Sequence, residues 1–295
     1  MSSKLWLAFA LLAIILAVAV SLPHSEPAAP PKTYALKSLI KEGDKELIIY
    51  KLEANALIST PGLPKHPVMP MYSKLQQEIE QKMLKMDGGE IVRLERHYRA
   101  SKYYISKSSQ TPKAESLDGK KIIIESDGTI TPVGQASIDK IIDQARPFIS
   151  VSEHQFALIL PAEEIPLKAE WEIPAETVAR VFNFSSQKKR AVTHGCTEVG
   201  INARFSGGSL KCLLKEIKAD TAVIELKGEL KGEDNGLKIE AALKGAAWFA
   251  IKKGRFTKLE LAGDIALDGS QPCIQVSAQG QVVGKGKITI AYEFK

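Results

Sequence analysis

Along the second half of the chain, apolar and polar residues alternate with a period of two. Ala222, Ile224, Leu226 and Leu230 interleave with Glu225, Lys227 and Glu229. After Asn235-Gly236, Leu237, Ile239, Ala241, Leu243, Gly245, Ala247, Phe249 and Ile251 share one face, and Lys238, Glu240 and Lys244 take the other. Leu259, Leu261, Ile265 and Leu267 then alternate with Lys258, Glu260 and Asp264. Ile274, Val276, Ala278 and Val282, followed by Ile288, Ile290, Tyr292 and Phe294, complete the series. Successive side chains of a strand point to opposite faces, and an Asn-Gly turn joins neighbouring strands antiparallel. The pattern predicts an antiparallel meander with one buried face. Its strands exceed the usual length of about 5–6 residues, so they must twist and coil. Gly228, Gly245, Gly263 and Gly280 fall on the buried face, where they permit sharp bending or a close approach of another element. The candidate apolar face is Leu243, Phe249, Leu261, Ile265, Val276 and Ile290. It is either a packed core or the lining of a groove for a greasy ligand.

The first half is less regular. "YALKSLIKEGDKELIIYKLEANALIST" reads as strand, Gly-Asp turn and long strand, with Ile48, Tyr50, Leu52, Ala54, Ala56 and Ile58 on one face. In the stretch from Tyr72 to Ser106, Leu75, Ile79, Met83 and Met86 fit a helix, but Leu75, Ile79 and Met83 also fit one face of a strand. The Asp87-Gly88-Gly89 turn favours strand–turn–strand. "GKKIIIESDGTITP" predicts a small hairpin around Asp127-Gly128. Ile138, Ile141, Ile142 and Ala145 have helical spacing and stop at Pro147. A second helix is predicted from Pro174 at the first helical position, with Glu176 in the first turn and Val178, Val181 and Phe182 as its buried stripe. The expected fold is α+β, mainly antiparallel β: a long twisted meander sheet, in its most bent form a half-barrel, with two or three short helices.

Leu5 to Val20 is an unbroken apolar run preceded by Lys4. As a helix it reaches roughly 24 Å, short of a bilayer core of ~30 Å. Ala17-Val18-Ala19 and Ala19-Val20-Ser21 supply small residues for signal peptidase, so the mature chain is expected to begin near Val20 or Leu22. Residues 1–21 are thus a signal peptide or, uncleaved, an N-terminal anchor through which the protein contacts the membrane. Both readings place the remainder outside the cytoplasm. Residues 22–33 are a Pro-rich linker, and 34–295 an extracytoplasmic β-rich domain with a candidate sub-boundary near 185–208.

Composition adds limited detail. Apolar residues at 44% and charged residues at 25% suit a globular domain. The net charge of +6 is dispersed rather than blocked, as on a solvated surface. Cys196, Cys212 and Cys273 suit an oxidising compartment, with one disulfide and one thiol left over. If a disulfide forms, Cys196–Cys212 is the candidate, because Cys273 falls on the face opposite Ile274 and Val276 of its strand.

Several segments together carry a resemblance: "MLKMDGGEIVRLERHYRAS", "LDGKKIIIESDGTIT", "AEWEIPAETVARVFNF", "IKADTAVIELKGELKG" and "AAWFAIKKGRFTKLELAGDIAL". They resemble a group of uncharacterised exported bacterial proteins, β-rich and bearing a signal peptide or a single N-terminal span. The group's pattern joins an acidic Gly-Gly turn, a Trp followed by Pro and a short helix, and a strand pair of the form Gly-x-Leu…Gly-Arg-x-x-x-Leu-x-Leu-x-Gly. The chain departs from it at Lys168-Ala169-Glu170, where the group has Gly-Asp before the Trp. The resemblance implies a fold and an exported location, and no activity.

No residue constellation points to catalysis, a cofactor or a metal. His194 and Cys196 stand two apart in a loop, a poor geometry for a thiol and its base. His24, His66, His97, His154 and His194 lack zinc-type spacing with Cys, Asp or Glu. In "RLERHYRASKYY", Arg93, Arg96, His97, Arg99 and Lys102 interleave with Tyr98, Tyr103 and Tyr104. That is the chemistry of nucleic-acid or glycan surfaces, but export argues against nucleic acid as a partner, and a solvated strand face with aromatic cross-strand partners is the plainer reading. Trp171 and Trp248 read as core or core-edge residues. Trp248 falls on the outer face and calls for something to cover it. The functional expectation is a non-catalytic structural or interaction module of the cell envelope, its partner an envelope protein, or else a carrier of a lipid or other apolar ligand.

Overall fold

The alternating runs pair edge to edge. The computed structural model describes residues 32–59, 68–104, 113–114, 117–134, 149–182, 205–234, 237–272 and 279–295. The strands are β1 (Thr33–Tyr34), β2 (Lys45–Ser59), β3 (Val68–Asp87), β4 (Glu90–Tyr104), β5 (Lys113–Ala114), β6 (Lys121–Glu125), β7 (Ile130–Pro132), β8 (Ile165–Pro166), β9 (Glu170–Ile173), β10 (Phe205–Lys218), β11 (Thr221–Asp234), β12 (Leu237–Ala250), β13 (Arg255–Pro272) and β14 (Gln279–Phe294). One sheet runs in the order β7-β6-β4-β3-β2-β14-β13-β12-β11-β10-β9, with β5 beside β4, while β1 and β8 form a separate pair. The sheet is open, and its terminal strands β7 and β9 are short, which limits the unpaired backbone offered to other chains.

Register carries one face across the sheet. Leu52 lies opposite Ile290, Ile290 opposite Leu261, Leu261 opposite Gly245, Gly245 opposite Leu226, and Leu226 opposite Cys212. All of these inner-face residues except the glycine belong to one continuous buried cluster. The outer face carries exposed Lys–Glu and Lys–Asp pairs such as Lys215–Glu225 and Lys287–Asp264, which add little stability in water. The joint between the two halves is β14 against β2, a pairing that must wait for the last strand of the chain.

Three expectations are corrected. Instead of two or three helices, the described residues contain one seven-residue helix, α1 (Ala175–Val181), and a 3-10 turn at Phe156–Ile159. Pro174 caps α1 rather than opening it, while Val178, Val181 and Phe182 are fully buried. The stretch Ile138–Ala145 lies outside the described residues. The strand expected before the Gly-Asp turn is also absent, apart from Thr33–Tyr34 against Ile165–Pro166. Both edges of β2 are occupied, by β14 and by β3, so no edge is left for a hairpin partner. Leu36 instead drops into the core, and the Leu39 N–H donates to the Gly254 carbonyl at 3.0 Å. The third correction concerns Arg96, which belongs to the inner face. Arg99 is the extra residue of a bulge, and it lets Arg96 and Tyr98 on one side of it and Ser101 and Tyr103 on the other all point inward.

The glycines of the inner face mark where strands approach most tightly. A Cβ on Gly263 would stand 1.8 Å from the Ala242 carbonyl oxygen, and one on Gly245 1.8 Å from that of Glu260. The obstacle is backbone of the neighbouring strand, which cannot rotate away as a side chain can. Gly263→Ala is therefore expected to destabilise by about 1–3 kcal/mol or more, the range of overpacked interiors. Urea melts compared with those of Ala262→Gly, on the outer face, measure it.

Candidate functional site

The inner face of β3 does not read as a plain core. Its inward positions alternate in kind: Ser73, Gln77 and Gln81 are polar, Leu75, Ile79 and Met83 apolar, and all are buried. Each polar residue needs a partner to offset lost hydration. The Ser73 hydroxyl donates to the Tyr103 hydroxyl at 3.2 Å, the Gln77 amide donates to Ser101 Oγ at 3.0 Å, and Gln81 Nε2 donates to Glu46 Oε2 at 3.0 Å. The result is a hydrogen-bonded seam along β2, β3 and β4.

A connecting segment, Ile149–Leu160, lies against this seam. Arg96 Nη1 donates to Glu153 Oε2 at 2.8 Å and Arg96 Nη2 to the Glu153 carbonyl at 3.0 Å. Both side chains are sealed from solvent, at 0% and 1% exposure. Burial opposes the Arg96 charge, but Tyr98 and Glu153 outweigh it and hold the guanidinium above its ordinary value. His154 follows with a left-handed backbone, φ 65°. Its N–H donates to the Val181 carbonyl, at the end of α1, at 3.3 Å. Its ring packs beside the stacked Tyr50–Tyr292 pair, whose centroids are 4.8 Å apart, and lies 5.6 Å from each of them, with Nδ1 3.3 Å from the Tyr292 hydroxyl and Nε2 3.6 Å from Glu153 Oε1. Burial, and secondly the Arg96 charge, hold the imidazole well below its usual range, so it is neutral. Burial, then Tyr50 and Glu153, push the Tyr292 phenol well above its own. Phe156 completes the segment with edge-on contacts to Tyr292, Phe182 and Phe294 at 4.6, 5.4 and 5.6 Å. Trp171 Nε1 donates to the Ile159 carbonyl at 2.9 Å, tying the 3-10 turn to β9.

The segment leaves a cavity of about 50 Å³ at the end of the sheet where Glu46, Gln81, His154 and Arg255 meet Phe156 and Phe256. Burial raises the Glu46 carboxyl above its ordinary value.

The residues singled out in the sequence fall elsewhere. Leu243, Phe249, Leu261, Ile265 and Ile290 lie together on the inner face, whereas Val276 and Cys196 lie outside the described residues. Cys212 is a free, buried thiol on β10, and burial pushes it up to about 12, far from a reactive thiolate. Trp248 stays on the outer face, where the Lys258 ammonium covers its ring at 5.1 Å. Among the described residues no group of three or more His, Cys, Asp or Glu is placed to hold a metal, and no helix is long and apolar enough to cross a membrane. Arg96 was expected on a solvated face and His154 was considered only for zinc spacing, while Glu153 carried no expectation. The alternation Leu94, Arg96, Tyr98 was the available signal for the first. Glu153 and His154 lie in a turn without periodicity.

No family model and no curated protein matches the chain. Among solved structures it is similar to lipovitellin, in a study of lipid–protein interactions, at a TM-score of 0.38 and 12% identity over 86% of this chain, and it spans only 26% of the lipovitellin chain. It is also similar to DynF of the dynemicin pathway of Micromonospora chersina (TM-score 0.22, 6% identity, 92% and 88% of the two chains). A third is OmpF of Salmonella typhi (TM-score 0.22, 6% identity, 84% and 97%). At these scores the comparisons carry no argument about function.

Two outcomes follow from the buried cluster. Glu153→Ala strands the Arg96 charge and is expected to cost about 3–5 kcal/mol, while the double variant Arg96→Met/Glu153→Leu costs far less than the two single changes together. Urea denaturation of the four proteins gives the cycle. His154 adds a pH dependence. The unfolded chain protonates it near pH 6.5 and the native chain only well below, so the unfolded state binds more protons in between. Stability then falls as pH is lowered below about 6.5, by up to about 1.4 kcal/mol per pH unit, and the contribution is complete above about pH 7. His154→Asn, which accepts the left-handed backbone, is expected to flatten this slope in urea melts taken between about pH 5 and 7.5.

Proposed function

We propose that the chain is an extracytoplasmic protein of the cell envelope and that its β-rich domain is a non-catalytic structural or interaction module. The observation that carries this reading is the state of the inner face. Leu243, Phe249, Leu261, Ile265 and Ile290 are no more than 2% exposed. A carrier needs a solvent-reachable lining for its ligand, whereas these side chains are packed as core residues are. Glu153 and Cys212 are each 1% exposed or less and do not line the cavity beside Gln81, so neither is placed to meet a substrate from water. The outer face offers paired charges and backbone held in a fixed sheet, the surface of a scaffold or docking partner. The exported location rests on the Leu5–Val20 run and its flanking small residues.

Leu261 tests the reading. In a filled interior, Leu261→Ala is expected to cost about 2–5 kcal/mol, as truncations of packed cores do. In a ligand groove the same change makes no new void and costs much less. The stability of the variant is to be measured in urea beside the binding of a fluorescent fatty acid. The expected result is a large loss of stability and no saturable fatty-acid binding by either protein. Saturable binding by the parent chain that the variant weakens would favour the carrier.

A further inference from the structure

The cavity of about 50 Å³ beside Ile149–Leu160 contains an unmet hydrogen-bonding need. Gln81 is 1% exposed and lines it. Its amide nitrogen is used by Glu46, but its Oε1 has no hydrogen-bond partner among the described residues. A buried acceptor left in this state is costly unless a ligand or water supplies a donor. Three of the polar groups in its lining bear on what would fit. Gln81 Oε1 and the Glu46 carboxylate are acceptors and repel an anion. Arg255, which lines the same cavity and acts on Glu46 through its charge, opposes a cation. Its guanidinium has five N–H donors and places one on Asp44 at 3.3 Å, so it can serve an acceptor as well. A hydroxyl group meets both demands: it donates to one side, accepts from the other, and is neutral.

Ser38, Glu90, His154 and Gln155 also line the cavity, and the rest of the wall is mainly apolar. Phe156 and Phe256 are buried there, and the half-buried Ile40, Met86 and Leu158 line its more exposed part. The volume holds about three or four water-sized groups, too few for an acyl chain but enough for the end of a small molecule. We propose that this cleft binds a small neutral molecule bearing a hydroxyl group on an apolar body, with the hydroxyl between Gln81 and Arg255 and the body against Phe156 and Phe256. The proposal does not depend on the module reading, because the cleft is separate from the Leu261 region of the inner face.

The test uses the full-length chain and two probes of equal heavy-atom count, 1-butanol, which donates a hydrogen bond, and 2-butanone, which only accepts one. Titrations followed by nuclear magnetic resonance of the Gln81 side-chain amide should show 1-butanol binding about tenfold more tightly, the factor one net hydrogen bond of ~1.4 kcal/mol supplies. Gln81→Met should remove the preference while leaving weak binding of both probes, monitored at the Phe156 ring. Ile40→Trp, at a half-buried position, should fill the outer part and weaken both. If Gln81→Met does not fold, the ratio in the parent chain and the effect of Ile40→Trp decide. Equal binding of the two probes would mean that the cleft does not select a hydroxyl, no saturable shift with 1-butanol would mean that water alone occupies the cavity, and either result would overturn the proposal.

Discussion

The Arg96–Glu153 pair organises the interior of this protein. Taking two charges out of water costs several kcal/mol per ion, and only close geometry with further hydrogen bonds repays it. Here Glu153 accepts from Arg96 with both its carboxylate and its main-chain carbonyl, at 2.8 and 3.0 Å. The side chain and backbone of a turn are thereby held to the middle of β4. The segment downstream is held by contacts of the same precision: His154 packs beside the stacked Tyr50–Tyr292 pair, Phe156 meets the aromatic side chains of β13 and β14, and Trp171 closes over the 3-10 turn.

The long sheet creates the need for such an anchor. Its inner face is a continuous field of Ile, Leu and Ala from β11 to β2, chemically repetitive in the strand direction. A connecting segment with one good apolar side chain, Phe156, would find several nearly equivalent positions on it. The polar seam of Ser73, Gln77 and Gln81 breaks the repetition, because each of these residues donates to one particular neighbour. Buried groups of this kind penalise every arrangement in which their partners are missing.

The same seam explains what the sequence disclosed and what it hid. The meander was legible because Lys, Glu and Asp recur on the outer face of β11, β12 and β13, interrupted on β12 and β13 mainly by Ala, while the inner positions stay apolar or Gly, so period two is plain there. On β3 the inward positions alternate between polar and apolar, which leaves Leu75, Ile79 and Met83 four apart. That spacing is shared by a helix and by every other inward position of a strand, and the ambiguity was real rather than a fault of reading. Arg96 was hidden by its company: among Arg93, His97 and Arg99 it looks solvated, and only the parity with Leu94 and Tyr98 places it inside. The bulge at Arg99 then resets the parity, so Ser101 and Tyr103 face inward too. Glu153 and His154 were illegible because a turn has no period, and their partners are 57 and 138 residues away. The pairing of β14 with β2 is likewise a matter of topology, which alternation along a single strand does not encode.

A buried ion pair is weak evidence for stability, since apolar replacements of similar volume are often as stable or more so. Its value here lies in discrimination. An all-apolar contact between Ile149–Leu160 and the sheet would keep the segment buried but would tolerate a slide along the strands by two residues, the repeat of the inner face. With Arg96 on the sheet and Glu153 on the segment, such a slide separates two desolvated charges and leaves each without compensation. The ring of His154, held in a left-handed turn and neutral, adds a second such constraint through Tyr292. The cleft formed by Gln81, Glu46 and Arg255 exists only when the segment stops at this one position, because His154 and Phe156 form its inner wall. The ion pair thus acts on the outside of the protein indirectly, by fixing the shape of a small cleft beside the polar seam.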